Sequence, residues 1–180
     1  MTTGYLFTSE RLGFRNWQTD DLTSYAKLNA DPQVMEFFPR PYSTQESALQ
    51  IERFRRMSEI HGYCPYAVDR LDTQELIGFI GFMHTDFPAP FTPCTEIGWR
   101  LDRAAWGQGY ATEGAKSCLQ YAWETLELEE IYSFTAVVNQ RSERVMQKIG
   151  MEAKGKFDHP KVDEGSVLRP HVLYAIKKPR

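Results

Sequence analysis

Two hydrophobic periods divide the chain, and the points where one gives way to the other mark its elements. Residues 12–17 alternate apolar and polar side chains, as a half-buried strand does. Thr19 then stands as an N-cap, Asp20 and Asp21 fill a first helical turn, and Pro32 closes that helix at about Ala30. Ser43-Thr44-Gln45-Glu46 has the form of a capping box; Ile51, Phe54 and Met57 give the following helix an apolar side, and Gly62 stops it. Two strand-like runs, 63–69 and 76–84, flank the polar 70–75 and read as a hairpin, with Gly78 and Gly81 marking a bulge or a close backbone neighbour. In 95–101, Thr95, Ile97, Trp99 and Leu101 share one face of a further strand. Ala111, Ala115, Cys118, Leu119, Ala122 and Leu126 then recur at helical spacing. Residues 131–138, β-branched and aromatic, read as a buried strand; 139–151 form a short helix entered at Asn139, stopped at Gly150 and apolar along Val145, Met146 and Ile149. A loop at 157–160 and a last strand at 171–176 follow. That last strand is a candidate edge for pairing, and both a monomer and a homodimer are allowed.

The connection 85–93 breaks both periods. It holds three prolines and two phenylalanines, Phe87 and Phe91, whose rings either line a substrate pocket or cover the end of the sheet. Composition then narrows the class. A chain of 180 residues, 42% hydrophobic and 25% charged, buries its own core and reads as one domain over 1–180. A net charge of -3 argues against nucleic acid as a partner, and the basic run 177–180 reads as a frayed, solvated end. No apolar run approaches membrane-spanning length, and residues 1–11 lack the layout of a secretory leader, so no membrane partner is expected. Cys64, Cys94 and Cys118 are odd in number and widely spaced; they suit neither a disulfide framework nor a metal site, and point to a reducing, cytoplasmic setting without a bound metal.

Candidate chemistry concentrates in Trp106-Gly107-Gln108-Gly109-Tyr110-Ala111-Thr112-Glu113, between a strand and a helix. A glycine turn there aims backbone N–H groups and the positive end of a helix dipole at one spot, which suits a phosphate or pyrophosphate; an ordinary helix cap is the alternative. Neither the G-x-G-x-x-G pattern nor a Walker loop is present. The spacing resembles the acyl-coenzyme A pyrophosphate loop of the GNAT acetyltransferase superfamily, Arg or Gln followed by x-x-G-x-G/A, with Gly109 and Ala111 at its small positions and Trp106 in place of Arg or Gln. An aromatic residue there is similar to the RimJ/RimL branch, the protein N-terminal acetyltransferases and their relatives. Asn139-Gln140-Arg141-Ser142 through Met146, Lys148 and Gly150 resembles that branch's N-x-x-S-x-x-x-M-x-K-x-G segment. The likeness spans 12–176.

The resemblance implies an α/β fold: a mixed, mostly antiparallel central sheet of about seven strands flanked by about four helices, with a V-shaped splay between the fourth and fifth strands, residues 97–101 and 134–138. It implies acetyl-coenzyme A as co-substrate. The backbone N–H groups of Gly107, Gln108, Gly109, Tyr110, Ala111 and Thr112 would take the pyrophosphate, and the pantetheine arm would lie in the slot beside Ile97, Trp99 and Leu101, with Gly98 fitting a bulge that opens it. Asn139 is a candidate for the pantetheine amides or a plain helix cap. Arg141, Arg144 or Lys148 would meet the ribose phosphate, Arg144 being the residue chosen, or form a solvated basic face.

Acetyl transfer to an amine needs the donor held, the amine neutral, the carbonyl polarised and the thiolate given a proton. Glu96 is the candidate base, standing where several members of the superfamily keep a glutamate; pairing with Arg100 or capping a loop is its structural alternative. His84 and Asp86 are second choices and, with Phe87 and Phe91, candidate walls of the substrate pocket. His61, His159 and His171 read as hydrogen-bonded structural residues, and Glu113 as a first-turn acid favoured by the helix dipole. The tyrosine acid common in the superfamily is matched by Met146, which has no proton to give; Ser142 matches the serine the RimJ/RimL branch uses instead, and is otherwise a first-turn residue. The expectation is an acetyl-coenzyme A-dependent N-acetyltransferase acting by direct transfer in a ternary complex on a primary amine, either a protein N-terminus or a small-molecule amine. A non-catalytic acyl-coenzyme A sensor of the same fold is the alternative, which Met146 favours.

Overall fold

The computed structural model describes residues 4–179. Its strands are β1 (Phe7–Thr8), β2 (Leu12–Arg15), β3 (Pro65–Arg70), β4 (Leu76–Thr85), β5 (Cys94–Leu101), β6 (Glu130–Ala136), β7 (Glu152–Asp158) and β8 (Pro170–Lys177), and its helices α1 (Asp21–Ala30), α2 (Thr44–His61), α3 (Tyr110–Glu124) and α4 (Gln140–Lys148). All eight strands join one sheet in the order β1-β2-β3-β4-β5-β6-β8-β7. Every neighbouring pair is antiparallel except β5 and β6. The expected mixed α/β sheet with four helices is therefore present, with eight strands instead of seven.

Opposite parity along β4 divides the core into two layers. Phe79 faces α1 and α2, meeting the rings of Tyr25 at 6.4 Å and Phe54 at 5.4 Å. Ile80 faces α3, where Gly114 lets the helix settle against Ile80, Leu12 and Phe14. Gly78 and Gly81 follow from close backbone neighbours: a Cβ at Gly78 would fall on the Arg100 carbonyl and one at Gly81 on that of Cys64. β3 shifts register between Val68 and Asp69, opposite that stretch.

Helix entries obey local chemistry where nothing stronger competes. Ser43 and Glu46 form the reciprocal capping box of α2, and Gly62 ends it at φ 76°. α1 departs from expectation, with Asp20 and not Thr19 at the cap and no side-chain cap bond. Buried Arg15 explains it: its guanidinium donates to both oxygens of Asp21 at 2.8 Å and to Asp69 at 2.6 and 2.8 Å, drawing Asp21 inward. Glu113 is likewise more than a dipole-facing acid. It accepts from the Ser9 hydroxyl, the Arg11 backbone N–H and the Arg11 guanidinium, tying the β1–β2 turn to α3.

Three sequence expectations change at the C-terminal side. Residues 157–160 do not simply form a loop, because Phe157 and Asp158 end β7, a strand exposed along nearly its whole length. β8 is interior, lying between β6 and β7, so the edges of the sheet are β1 and β7 and the expected pairing edge is covered. Lys177 belongs to β8 and Lys178 donates its backbone N–H to Glu129, so this end is ordered into the sheet; Arg180 lies outside the described residues. Cys64, Cys94 and Cys118 are buried and free. Among the described residues no helix is long and apolar enough to cross a membrane, and no His, Cys, Asp and Glu cluster is placed to hold a metal.

Candidate active site

β5 is the spine of the site. Its parallel pairing with β6 amounts to one register pair, Glu96 with Tyr132, followed by a bond from the Ser133 hydroxyl to the Ile97 carbonyl at 2.9 Å. Beyond this vertex β6 stays with β8, to which it pairs from Glu130 to Ala136, and the two strands part. The splay arises there and not from a bulge at Gly98: β5 keeps an unbroken register with β4 from Gly78↔Leu101 to Thr85↔Cys94. A cavity of about 780 Å³ occupies the opening and continues between the sheet and the α1–α2 connection.

At one end of this cavity the chain turns into α3. Trp106 donates its indole N–H to the Leu101 carbonyl at 2.9 Å and lies under the Arg141 guanidinium at 4.4 Å, which gives this aromatic residue a structural task where the resemblance expects Arg or Gln. Gly107 and Gly109 hold φ of 73° and 83°, and nothing lies within 4 Å of a Cβ built at Gly107. That open space above Gly107 is what an anion needs in order to reach backbone N–H groups, while a Cβ at Gly109 would touch the Arg11 guanidinium at 3.6 Å. Gly107, Gly109, Tyr110, Ala111 and Thr112 line the cavity. Tyr110 offers only backbone, its ring being buried beneath Arg11. Gln108 is outside the lining, its side chain folded back onto the Ala104 carbonyl at 2.9 Å.

Across the slot, α4 presents Asn139, Ser142, Arg144 and Lys148 to the same cavity. The Asn139 side chain caps the helix, accepting from the Ser142 N–H at 3.3 Å and donating to Thr135 Oγ1 at 2.9 Å. Arg141 is held by Glu36 at 2.6 Å, whereas Arg144 and Lys148 have no ion pair among the described residues. Trp99 spans the opening, its indole donating to Ser142 Oγ at 3.2 Å. Ile97 and Leu101, on the same face of β5, are buried and also line the cavity.

Glu96 stands on the other face of β5, deep in the cavity. Its Oε2 accepts from the Thr85 hydroxyl at 2.9 Å. Burial pushes the carboxyl up to about 8, against the opposing pull of that hydrogen bond. No ion pair with Arg100 exists among the described residues, so the structural alternative of a Glu96–Arg100 bridge is not realised. The neighbouring Cys94 thiol is pushed up to about 12 by burial and by Glu96.

The proline-rich connection does both things its rings allow. Phe87 is buried and lines the cavity, packing near Phe134 at 5.7 Å and His159 at 4.8 Å. Phe91 does not reach the cavity; it stacks on Tyr132 at 5.9 Å and meets Phe157 edge-on at 4.9 Å, closing the end of the sheet. His84 and Asp86 are exposed at the rim, His84 stacked on His61 at 4.5 Å. His159 and His171 sit in the aromatic cluster, where burial pushes the first down to about 4 and lowers the second. Sequence reasoning missed Phe37, Phe38, Tyr42 and Gln50, which the α1–α2 connection and α2 contribute to the cavity wall. The aromatic density of 37–42 was the available signal.

The acetyltransferase (GNAT) domain profile matches residues 11–152 of this chain. The chain belongs to the GNAT acetyltransferase family. This GNAT domain is 32% identical over 164 residues to the FsC-acetyl coenzyme A-N(2)-transacetylase of Aspergillus fumigatus, a match covering 78% of this chain and 65% of that protein. It therefore spans somewhat under two thirds of that relative's length. It is 29% identical over 169 residues to the uncharacterized N-acetyltransferase YnaD of Bacillus subtilis, covering 94% of this chain and 95% of that one. Among solved structures it superposes on RimL, the ribosomal L7/L12 alpha-N-protein acetyltransferase in complex with coenzyme A, with a TM-score of 0.77 at 17% identity over 96% of this chain and 97% of that one. That last likeness is one of fold, and it meets the expected kinship with RimJ/RimL-type proteins at that level.

Proposed function

We propose that this GNAT domain transfers an acetyl group from acetyl-coenzyme A to a primary amine by direct attack in a ternary complex. The observation that carries the reading is the placement of Glu96, whose carboxyl accepts from the Thr85 hydroxyl, in the same cavity as the glycine turn at Gly107, where the backbone is open to a phosphate. Acetyl-coenzyme A supplies the acyl group already activated as a thioester. The residues present fit it: the turn from Gly107 to Thr112 offers backbone N–H groups at the start of α3, Arg144 and Lys148, which have no ion pair among the described residues, offer cations for the ribose phosphate, and the parted β5 and β6 offer a slot for the pantetheine arm.

An alkyl ammonium titrates near 10 and reaches the site protonated. Glu96, once deprotonated, accepts that proton, and the Thr85 hydroxyl keeps its carboxylate aimed. Ser142 is the proposed donor to the departing sulfur. Trp99 fills one lone pair of its hydroxyl, which leaves the O–H free to donate into the slot. Met146, the feature that favoured a non-catalytic sensor, packs in the core at 1% exposure and reaches the cavity wall, where Ser142 one turn earlier on α4 carries the hydroxyl that Met146 lacks. His84 and Asp86 at the rim and Phe87 in the wall behind them flank the path by which the amine, from a peptide N-terminus or a small molecule, would enter. The three unpaired thiols suit a reducing compartment such as the cytoplasm.

The test is a titration with acetyl-coenzyme A, followed by thiol release in the presence of peptides with free N-termini and small primary amines. Amine-dependent release supports the transferase. Binding without release across the panel returns the sensor, and absence of binding removes the reading of the glycine turn.

A further inference from the structure

One cation in the cavity has no part in these proton transfers. Arg100 lies on β5 with 6% of its surface exposed and lines the cavity. Its guanidinium packs against the rings of Phe38 at 4.3 Å, Phe79 at 5.4 Å and Tyr42 at 5.5 Å. Nη1 donates to Asn29 Oδ1 at 2.8 Å and Gln50 Oε1 at 3.2 Å, both neutral amide oxygens. Nε is buried without a partner. Among the described residues Nη2 also has none, and no carboxylate lies within 4 Å of the group. The other buried arginine shows what is missing: Arg15 sits between Asp21 and Asp69. Arginine keeps its charge inside proteins, and amide oxygens and ring faces compensate it less well than a carboxylate does, so the cavity beside Arg100 favours an anion brought from outside the chain.

Position says which molecule brings it. Glu96 and Arg100, four residues apart on a strand of regular register, face the same side and line the same cavity. Gly98 lies between them on that face, leaving the floor from base to cation without a side chain apart from the tip of Met83. We infer that the acceptor is a primary amine that also carries a carboxylate, with the nitrogen toward Glu96 and the carboxylate held by Nη2 of the Arg100 guanidinium, the unpartnered nitrogen that is not sealed from the cavity as Nε is. The strand rise places the Arg100 Cα about 7 Å beyond that of Gly98 and about 14 Å beyond that of Glu96, so a spacer separates amine and acid. Phe38, Tyr42 and Phe79 give that spacer an apolar wall. A second ammonium in place of the acid would meet Arg100 as a like charge. An ω-amino acid and a peptide N-terminus followed by an acidic side chain share the required chemistry. The inference rests on the acetyltransferase reading for the role of the amine, and on Arg100 alone for the carboxylate.

The experiment compares thiol release with three acceptors of one length, 6-aminohexanoate, hexylamine and 1,6-diaminohexane, and with two amidated peptides that differ only in Asp or Asn at the second position. The acidic member of either set is expected to exceed its neutral counterpart by about 30-fold or more in kcat/KM, the diamine falling lowest, and the set that shows the effect tells amino acid from peptide. Gln50→Glu supplies the guanidinium with an internal carboxylate while keeping the bond from Tyr25; in that variant the acidic-to-neutral ratio is expected to fall to about one. Arg100→Gln should do the same, and Gln50→Glu decides the matter if Arg100→Gln does not fold. Equal rates for acidic and neutral acceptors, or a preference that survives Gln50→Glu, overturn the inference. If no amine releases thiol, the transferase reading fails by itself, and calorimetry of the same compounds in the presence of coenzyme A then tests Arg100. Binding of an acidic compound to wild type and not to Gln50→Glu upholds the carboxylate site, and binding to neither removes it.

Discussion

Glu96→Gln separates the charge of the proposed base from its shape. The glutamine amide oxygen can accept the same hydrogen bond from Thr85, so packing is kept while the titration disappears. The folded protein holds the Glu96 proton up to about 8 against an ordinary value of 4.5. The stability that this proton contributes is therefore present in full below about pH 4.5 and is lost as pH rises through about 8. At about 1.4 kcal/mol per unit, the shift corresponds to at most about 5 kcal/mol, an upper bound because the cavity admits water. Urea denaturation of wild type and variant, from about pH 4 to about pH 9, should show the glutamine form gaining on wild type across that interval and running parallel to it above. In the same preparations, kcat/KM of wild type should climb to a plateau above about pH 8, and Glu96→Gln should fall by about a hundredfold or more without that limb. Stability curves that stay parallel throughout would refute the burial argument. A variant that keeps both the rate and the limb would refute the assignment of the base.

Ser142→Ala removes the proposed donor and leaves the Trp99 indole without its acceptor; kcat should drop by about a hundredfold with acetyl-coenzyme A affinity by calorimetry unchanged, and full turnover would take Ser142 out of the scheme. Gly109→Ala forces a Cβ onto φ 83°, which should cost about 1–2 kcal/mol in urea denaturation and weaken acetyl-coenzyme A binding, whereas unaltered binding would argue against an anion at this turn. Arg15→Met strands Asp21 and Asp69 together in the interior, a loss of about 3–5 kcal/mol by the same measurement, and a loss below about 1 kcal/mol would show that water reaches the pair.

What the sequence disclosed was what neighbouring residues decide among themselves. The capping box at Ser43 and Glu46, the glycine stop at Gly62 and the glycine turn before α3 are local bargains between side chain and backbone, and each appears where its pattern stands. β7 has no such signature. Its residues are almost all exposed, so no hydrophobic alternation is required, and only pairing with β8 makes it a strand. The same pairing places β8 inside the sheet, which no local pattern records. Gly98 has the composition of a bulge, yet β4 holds β5 in register through it. Arg100 could be read as a partner for Glu96 because both lie on one face; its true surroundings come from α1, α2 and their connection, more than 50 residues away in sequence for Asn29 and 50 for Gln50. The split between Phe87 and Phe91 likewise depends on β6 and β7, which the pattern of 85–93 does not contain.

The single register pair between β5 and β6 has a mechanical meaning. Strands β1 to β5 form one antiparallel block and β6, β8 and β7 another, and the backbone joins the blocks at Glu96 and Tyr132 with Ser133 as a stitch beside it. The cleft is thus a seam between two panels. One hydrophobic core still runs beneath both panels, so a molecule lodged along the seam would touch each of them and add to a cohesion that the backbone supplies at only one point, and its occupancy should raise the protein's resistance to heat and proteases.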